Sequence, residues 1–493
     1  MIKNNSFQQY FFACLFFVLP IVIANAYYID DLGRATSGYT GWGHDGRPMA
    51  DVIMIALNLG KRLTDLAPLP LLISAALLAW CFDRFQRTFI RGRGLMAFLA
   101  PLAFLCNPFL VEVVSYRFDS LTIIAGVAFC FLSLMTGGYG RLKRNLLAVL
   151  AMLAAIASYQ ILLNVLIALF LIEFICQVAW SRLASGILKS AGERLCQLAA
   201  TLGMYFFIVL PLSLHKQEVE NHPGVATGNL LDTLINNAHA YGGFMRAALF
   251  GDATPIIFAA FTAIMLLGSV YLALCYLREH GRGFAQWFIA LLCAISPLAA
   301  VLVILGALLF LNNAIATFSR VYIGLSGYLL YFSTLVYLVA KKTGLRHLNI
   351  VSLIPLLYAF PFIYSYGNAL RQQNILDHDL VLSIKQNTVE YNENEFYIVF
   401  NGDRRVSAVM QNSAKKYPLI NTLVVNYFAN WYFPFRYMQI NGLEQRYPLP
   451  GLGITANPGE TLCASRLLTK TTDYNLYLKG DILTVDFARH ECR

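Results

Sequence analysis

Residues 254–282, "TPIIFAAFTAIMLLGSVYLALCYLREHGR", decide the fold of this chain. Residues 254–277 carry no charged side chain, whereas Arg278 and Arg282 follow directly. About 20 apolar residues in a helix cross the hydrocarbon core of a bilayer. The stretch therefore predicts a transmembrane helix that ends in a positively charged connection.

The same pattern recurs along the first three quarters of the chain. Of 493 residues, 58% are hydrophobic and 13% are charged, against about 25% charged in ordinary soluble proteins. This composition predicts a polytopic α-helical membrane protein. We expect eleven spans near residues 10–29, 66–82, 95–110, 119–136, 146–159, 161–179, 198–214, 254–277, 284–310, 321–340 and 348–366.

The basic residues set the orientation of these spans. A net charge of +10 would suit a nucleic-acid partner, but the basic side chains gather in five alternate connections. They are Arg84, Arg87, Arg91 and Arg93; Arg141, Lys143 and Arg144; Arg182, Lys189 and Arg194; Arg278 and Arg282; and Lys341, Lys342 and Arg346. Positively charged connections stay in the cytoplasm, so we expect the N-terminus inside and the C-terminus outside. Lys3 and "ANA" at residues 24–26 also resemble a signal peptide, whose cleavage would leave Asp30 and Asp31 on a free tail.

The polar tail predicts a second domain on the outer side. We divide the chain into a transmembrane domain, residues 1–366, with a first outer loop at 30–65, and an α+β domain, residues 367–493. In the tail we expect helices near 369–391 and 407–417, strands at "EFYIVF" (395–400) and "RYMQI" (436–440), and a hairpin in residues 474–488. Eight cysteines lie in or beside apolar spans, so the remaining pair, Cys463 and Cys492, is a candidate disulfide.

Two adjacent carboxylates, Asp30 and Asp31, open the loop "YYIDDLGRATSGYTGWGHDGRPMAD" at residues 27–51. Adjacent residues on a helix point about 100° apart, so one can face a reacting group while the other binds a cation or caps the backbone. Their repulsion would raise the pKa of one carboxyl group, which favours a general base. The alternative is a pair of solvated carboxylates that mark the end of a span.

The rest of this loop is suited to binding a glycan and an anion. Tyr39 and Trp42 could stack on a sugar, with His44 and Asp45 as further sugar contacts, and Arg34 and Arg47 could hold an anion. The alternative is a glycine-rich turn with interfacial aromatics. After Pro48 we expect an amphipathic helix that lies along the outer interface.

A second outer stretch, "NPFLVEVVSYRFDS" at residues 107–120, places Arg117 and Asp119 at the mouth of the fourth span. Arg117 and Arg320 are candidates for a phosphate clamp, because guanidinium groups make bidentate contacts with phosphate. The alternative is an ion pair that holds loops together, or a contact with lipid headgroups. No histidine pair has the helix spacing of zinc ligands, so we expect no cofactor and leave a divalent metal open.

Together these two stretches resemble the outer-face signatures of the serotype-converting O-antigen glucosyltransferases, polytopic glycosyltransferases of the GT-C class that use a polyprenyl-phosphate sugar. The resemblance implies transfer of glucose from undecaprenyl-phosphate glucose to a sugar of the O-antigen repeat, at the periplasmic face of the bacterial inner membrane. It implies Asp30 or Asp31 as the general base, polyprenyl phosphate as the leaving group, and Arg117, Arg47 and Arg320 as phosphate ligands. It also implies a donor synthase and a small flippase as companions, and no nucleic acid.

Two other functions fit the same residues. One is a flippase or transporter for a lipid-linked saccharide, in which the arginines bind a phosphate headgroup during translocation. The other is a polyprenyl-phosphate-sugar transferase that acts on lipid A or protein.

Overall fold

The computed structural model describes residues 6–214, 224–391, 395–429, 432–447 and 462–491. By its internal contacts the chain divides into two compact units. The first unit comprises Met1–Val22, Thr40–Lys61 and Leu66–Tyr364, and the second comprises Ile23–Tyr39, Arg62–Asp65 and Ser365–Arg493.

The first unit is built from helices joined by short connections, with an isolated β-bridge between Val225 and Leu311 in its described part. Its α-helices are α1 Ser6–Ala24, which ends in the second unit, α3 Pro48–Asn58, α4 Leu69–Phe85, α5 Leu95–Leu102, α6 Leu110–Ser115, α7 Asp119–Leu134, α8 Arg141–Ser158, α9 Leu162–Ala179, α10 Ala184–Met204, α11 Leu210–Ser213, α12 Leu230–Ala248, α13 Ala253–His280, α14 Phe284–Leu305 and α15 Gly324–Thr343. The helix α2, Asp31–Ser37, belongs to the second unit, and α16, Leu353–Asn387, passes from the first unit into the second. Short 3-10 segments extend several of these helices, including Ala103–Cys106, Gly306–Phe310, Ser319–Ile323 and Arg346–Ser352, and π-helical turns occupy Gln86–Ile90 and Tyr205–Val209.

Each of the eleven predicted spans coincides with a helix. Within the described residues, eight helices are long and apolar enough to cross a membrane: Ser6–Ala24, Leu69–Ile90, Leu162–Ala179, Ala184–Ser213, Ala253–His280, Phe284–Phe310, Ser319–Thr343 and Arg346–Asn387. The other three predicted spans coincide with Leu95–Cys106 and Asp119–Leu134, which are shorter, and with α8. The chain therefore has the helices of a multi-spanning membrane protein, and the number eleven stays a prediction.

The basic connections of the first unit meet one another. The Arg91 guanidinium stacks on the Trp180 ring at 3.4 Å, and Lys341 donates to the Arg91 carbonyl at 3.2 Å. Lys342 forms an ion pair with Glu279 at 2.7 Å. Two of the alternate connections, at residues 42–47 and 159–161, also contact each other, because Gln160 donates to the Asp45 carbonyl at 2.7 Å. These contacts agree with the grouping that the charge pattern predicts, and the topology of the chain, with the compartment that each connection faces, stays a prediction.

The second unit combines helices with a small sheet. Its remaining elements are α17 Ala408–Lys416, α18 Ile420–Leu423, the 3-10 turn Tyr427–Ala429, α19 Phe433–Ile440, β1 Tyr397–Asn401, β2 Arg466–Lys470, β3 Asn475–Lys479 and β4 Ile482–Asp486. The strand order is β1-β4-β3-β2, with β1 parallel to β4 and the other pairs antiparallel. The predicted hairpin is β3–β4, and Gly480 at its turn adopts φ +62°, a conformation that glycine tolerates without strain.

The core of the second unit includes a residue from near the N-terminus. Leu32, in α2, is fully buried together with Val381 and Ile384 of α16, Met438 of α19 and Val485 of β4. Two hydrogen bonds fix the preceding chain: the Tyr427 hydroxyl donates to the Tyr27 carbonyl at 2.9 Å and accepts from Ile29 N at 3.4 Å. The predicted first outer loop therefore divides at Tyr39, because its first part packs with the tail.

One predicted strand is wrong. Residues 436–440, "RYMQI", lie in the helix α19, which begins with Pro434 in its first turn. Proline is favoured there because its fixed φ suits a helix and its missing N–H would have no partner. The buried side chains Phe435 and Met438, three residues apart, follow the helical period rather than strand alternation.

Candidate active site

A tight turn at Trp42–Asp45 leads from the second unit into α3 of the first. Asp51, in α3, accepts hydrogen bonds from three successive backbone nitrogens: Gly41 at 2.9 Å, Trp42 at 3.2 Å and Gly43 at 2.6 Å. The turn is held from other helices as well, because Gln160 donates to the Asp45 carbonyl at 2.7 Å and Tyr205 donates to the Gly46 carbonyl at 2.8 Å. The backbone of this loop is thus fixed in position before any ligand binds.

This turn presents Arg47 to two carboxylates. The Arg47 guanidinium lies 2.5 Å from Asp45 Oδ2 and 4.0 Å from Asp119 Oδ1. Asp119, the first residue of α7, is buried and also accepts a short hydrogen bond from Trp42 Nε1. The cation predicted to bind phosphate is therefore neutralised by acidic neighbours.

Arg320 has a similar partner. Its guanidinium lies 3.9 Å from Glu112 Oε1, while its backbone nitrogen donates to Glu112 Oε2 at 3.0 Å. It also donates to the Tyr116 hydroxyl and lies over the Tyr116 ring at 5.1 Å. Glu112 is only 3% exposed. Burial raises the pKa of its carboxyl group, and the Arg320 charge opposes that rise.

Tyr159 lies near both ion-pair systems. Its side chain is buried in the turn between α8 and α9, within Coulombic range of Arg47, Arg320, Glu112 and Asp119. We call Asp45, Arg47, Glu112, Asp119, Tyr159 and Arg320 the first-unit cluster. Its two arginines face three carboxylates.

The other predicted residues of the first unit lie around this cluster. Trp42 is fully buried; instead of offering a face for a sugar to stack on, it orients Asp119. His44 is exposed, and Arg117 is half-buried in the turn between α6 and α7.

Asp30 and Asp31 lie in the second unit and differ sharply in environment. Asp31 is 0% exposed and accepts a hydrogen bond from Tyr28 N at 3.1 Å. Asp30 precedes α2, and its side chain is 43% exposed and 4.0 Å from the Arg34 guanidinium. One carboxylate is therefore built into the fold, and the other is accessible.

Two arginines and two tyrosines lie on or beside α2, the helix that follows Asp30. The Arg34 guanidinium lies 5.4 Å from the centre of the Tyr39 ring. From α19, Arg436 donates to the Tyr432 hydroxyl at 3.2 Å and to the Thr36 hydroxyl at 3.4 Å. We call Asp30, Arg34, Tyr39, Tyr432 and Arg436 the second-unit cluster.

The hydroxyls of Tyr39 and Tyr432 converge on Gly33, which lies between Asp30 and Arg34. A Cβ atom added to Gly33 would lie 2.8 Å from the Tyr39 oxygen and 3.0 Å from the Tyr432 oxygen. Although 43% of Tyr39 is exposed, partial desolvation of its hydroxyl raises the pKa of Tyr39 to about 12, so the phenol remains a neutral hydrogen-bond donor at physiological pH. Only glycine permits both hydroxyls to approach the helix so closely.

Sequence reasoning missed Arg436. The spacing from Thr36 to Arg436 is 400 residues, so no local motif links them. A weak signal was present in Pro434, which marks the start of α19 and so places Tyr432 and Arg436 one helical turn apart.

Only one of the two cysteines of the predicted disulfide lies within the described residues. Cys463 is disulfide-bonded, whereas Cys492 lies outside the described residues, so their pairing stays a prediction. The eight cysteines of the spans and their connections are free. Within the described part of the chain, no group of three or more His, Cys, Asp and Glu side chains is arranged to hold a metal ion.

Comparison with known proteins finds a family whose model matches most of this chain. A family model described as "Glucosyl transferase GtrII" matches residues 19–332, which is more than half of the chain. A Salmonella phage P22 protein, described as "Uncharacterized 55.3 kDa protein in gtrB 5'region", is 26% identical over 460 residues that cover 91% of this chain and 93% of that protein. No solved structure matches the chain.

Proposed function

Because this chain belongs to the glucosyl transferase GtrII family and is therefore a glycosyltransferase, we propose that it glucosylates O-antigen in serotype conversion. The donor in this proposal is undecaprenyl-phosphate glucose, and the acceptor is a sugar hydroxyl of the O-antigen repeat at the periplasmic face of the inner membrane. A donor synthase and a small flippase are the proposed companions. Family membership favours this transferase over the flippase or transporter that the sequence left open.

The observation that carries the mechanism is the contrast between Asp30 and Asp31. A general base must reach the acceptor hydroxyl; the Asp30 side chain is 43% exposed, whereas Asp31 is fully buried and serves the Tyr28 backbone. We assign the base to Asp30 and a supporting role to Asp31. Asp30 takes the hydroxyl proton as the acceptor oxygen attacks the anomeric carbon.

The bond that breaks joins the anomeric carbon to a phosphate oxygen, and its electron pair leaves with polyprenyl phosphate. Arginines stabilise the charge that develops on that leaving group without transferring a proton. The arginines indicated by the sequence are Arg34, Arg47, Arg117 and Arg320, with Asp119 orienting Arg47. Tyr39, His44 and Asp45 are the proposed sugar contacts. Attack from the side opposite the phosphate would invert the anomeric carbon.

Mass spectrometry of the glycan tests this function. Purified protein receives undecaprenyl-phosphate glucose and lipid-linked or polymerised O-antigen, and we expect the mass of one hexose to be added per modified repeat. The Asp30→Asn protein should leave the glycan unchanged. An unmodified glycan with the wild-type protein would contradict the proposal. The same assay with lipid A as acceptor tests the remaining enzymatic alternative.

A further inference from the structure

Arg436 differs from the other arginines of the two clusters in the groups that contact it. Arg47 faces Asp45 and Asp119, Arg320 faces Glu112, and Arg34 faces Asp30. Arg436 instead donates to three neutral oxygens: the Tyr432 hydroxyl at 3.2 Å, the Thr36 hydroxyl at 3.4 Å and the Gln439 amide oxygen at 3.1 Å. Among the described residues no carboxylate forms an ion pair with it.

The surroundings of Arg436 hold it in place without neutralising it. Its guanidinium lies 5.4 Å from the Tyr432 ring centre and 5.1 Å from that of Phe435, and the residue is half-buried. Stacking on aromatic rings and hydrogen bonds to neutral groups orient a guanidinium without compensating its positive charge. A partly desolvated cation without a carboxylate partner favours an anionic ligand.

Neutral donors accompany this charge. The Tyr39 and Tyr432 hydroxyls both approach Gly33, and Tyr39 lies within Coulombic range of Asp30, Arg34 and Arg436. A phenol that accepts a hydrogen bond from a guanidinium, as Tyr432 does, is polarised into a stronger donor. A fixed guanidinium beside two phenols is suited to the several oxygens of a phosphate group.

We infer that Arg436, together with the hydroxyls of Tyr432 and Tyr39, binds the phosphate group of the lipid-borne sugar donor. The inference rests on the proposed function, which supplies a phosphodiester of single negative charge as donor. It assigns a substrate-binding task to the C-terminal part of the chain. Arg436 lies beyond residues 19–332, so family membership does not predict this role.

A neutral acceptor glycan would make a different use of the same surface. Tyr39 and Tyr432 could contact a sugar, but a sugar would not compensate the charge of Arg436. Kinetic measurements distinguish donor phosphate from acceptor sugar as the ligand of Arg436, because each ligand changes a different Michaelis constant. An arginine that binds phosphate affects the donor constant and the affinity for the product undecaprenyl phosphate, and it leaves the acceptor constant unchanged.

The experiment compares wild-type protein with Arg436→Gln and Arg436→Lys in detergent or nanodiscs. A charge-assisted hydrogen bond contributes about tenfold to hundredfold in affinity. We expect Arg436→Gln to raise the donor KM by about that factor and to weaken inhibition by undecaprenyl phosphate equally. Arg436→Lys should recover part of the loss, because it restores the charge without the bidentate geometry.

The matched control is Arg446→Gln, which removes an arginine of the same unit that forms an ion pair with Asp481 at 2.8 Å. It should leave both constants unchanged, and thermal unfolding should show that all variants are folded. Inorganic phosphate serves as a further inhibitor: if it competes with the donor as strongly as undecaprenyl phosphate does, the site binds free phosphate rather than a lipid-borne one, and the inference is wrong.

Failure of the inference and failure of the proposed function give different results. If the wild type transfers hexose but Arg436→Gln keeps its donor KM, or raises the acceptor KM instead, the phosphate role of Arg436 is refuted and the function stands. If the wild type transfers no hexose, native mass spectrometry of bound undecaprenyl phosphate still decides the inference. Equal retention by wild type and Arg436→Gln refutes it, whereas retention by the wild type alone supports it.

Discussion

The first-unit and second-unit clusters both combine arginines, carboxylates and tyrosines. Three carboxylates accompany two arginines in the first-unit cluster, whereas one carboxylate accompanies two arginines in the second-unit cluster. Each contains two arginines near a buried or half-buried tyrosine. In the first unit Arg47 and Arg320 are matched by Asp45, Asp119 and Glu112, whereas in the second unit Arg436 has only neutral partners among the described residues. Carboxylate partners orient an arginine and compensate part of its charge, whereas an arginine that contacts only neutral groups keeps its full charge for a ligand. The environment of an arginine thus says more about its task than its presence in a motif.

The accessible carboxylate of the second unit gives the largest expected effect. Asp30→Asn removes the proposed base, and general-base catalysis contributes about a hundredfold to ten-thousandfold in rate. We expect kcat for hexose transfer to fall by that factor without a change in thermal unfolding, because the Asp30 side chain is 43% exposed.

Two variants sharpen this test. Asp31→Asn should lower the unfolding midpoint as well as activity, because Asp31 is fully buried. Asp481→Asn, which removes another exposed carboxylate beside an arginine of the same unit, should change neither quantity. Full activity of Asp30→Asn would place the base elsewhere.

In the first unit the largest expected effect is on stability. Arg320→Gln removes the partner of Glu112, which is 3% exposed, and an uncompensated buried carboxylate costs about 3 kcal/mol. We expect a lower unfolding midpoint at neutral pH. Arg446→Gln, which removes one partner of the exposed pair Arg446–Asp481, should lower the free energy of unfolding by less than about 1 kcal/mol.

The double variant Arg320→Gln/Glu112→Gln identifies the cause. It should recover most of the lost stability, because the uncompensated charge is gone. If it stays as unstable as Arg320→Gln, the loss arises from other contacts of Arg320, such as its stacking on Tyr116.

Sequence reasoning predicted the parts of the fold that depend on local pattern. Apolar length placed each span on a helix. The helix predicted near 407–417 is α17, where the structure shows Ser407 as a capping residue that accepts from Met410 N at 3.2 Å, and the predicted hairpin is β3–β4. Predictions from the sequence were wrong or absent where tertiary contacts determine the structure. "RYMQI" forms a helix, and Leu32 packs in a core made largely of residues from 381 onward.

The site shows the same limit. The sequence identified the pair Asp30–Asp31 but could not tell which is buried, since burial depends on tertiary packing. It identified Arg47 and Arg320 by charge, yet the acidic neighbours Glu112 and Asp119 become relevant only when the fold brings them close. Arg436 has no local signature at all.

A smaller effect separates catalytic geometry from stability in the second unit. Gly33→Ala places a methyl group against the Tyr39 and Tyr432 hydroxyls, which must move. Alanine also favours the helix by about 1 kcal/mol relative to glycine. We expect kcat/KM to fall by about threefold to tenfold with the unfolding midpoint unchanged or raised. Gly192→Ala, at a helical glycine with open space around it, should leave activity unchanged; equal activity of both variants would show that the two hydroxyls have no part in the reaction.

The smallest effect concerns the pH dependence of the first unit. Burial raises the pKa of Glu112 above its ordinary value of 4.5, so the folded protein binds this proton more tightly than the unfolded chain does. The stabilisation that results is complete below the ordinary pKa and is lost as the pH rises through the raised pKa. Glu112→Gln cannot titrate, so we expect the unfolding midpoint of the wild type, relative to Glu112→Gln, to fall as the pH rises through this range. A relative midpoint that rises with pH would mean that Arg320 outweighs burial, and that the first-unit cluster gains stability from its ion pair.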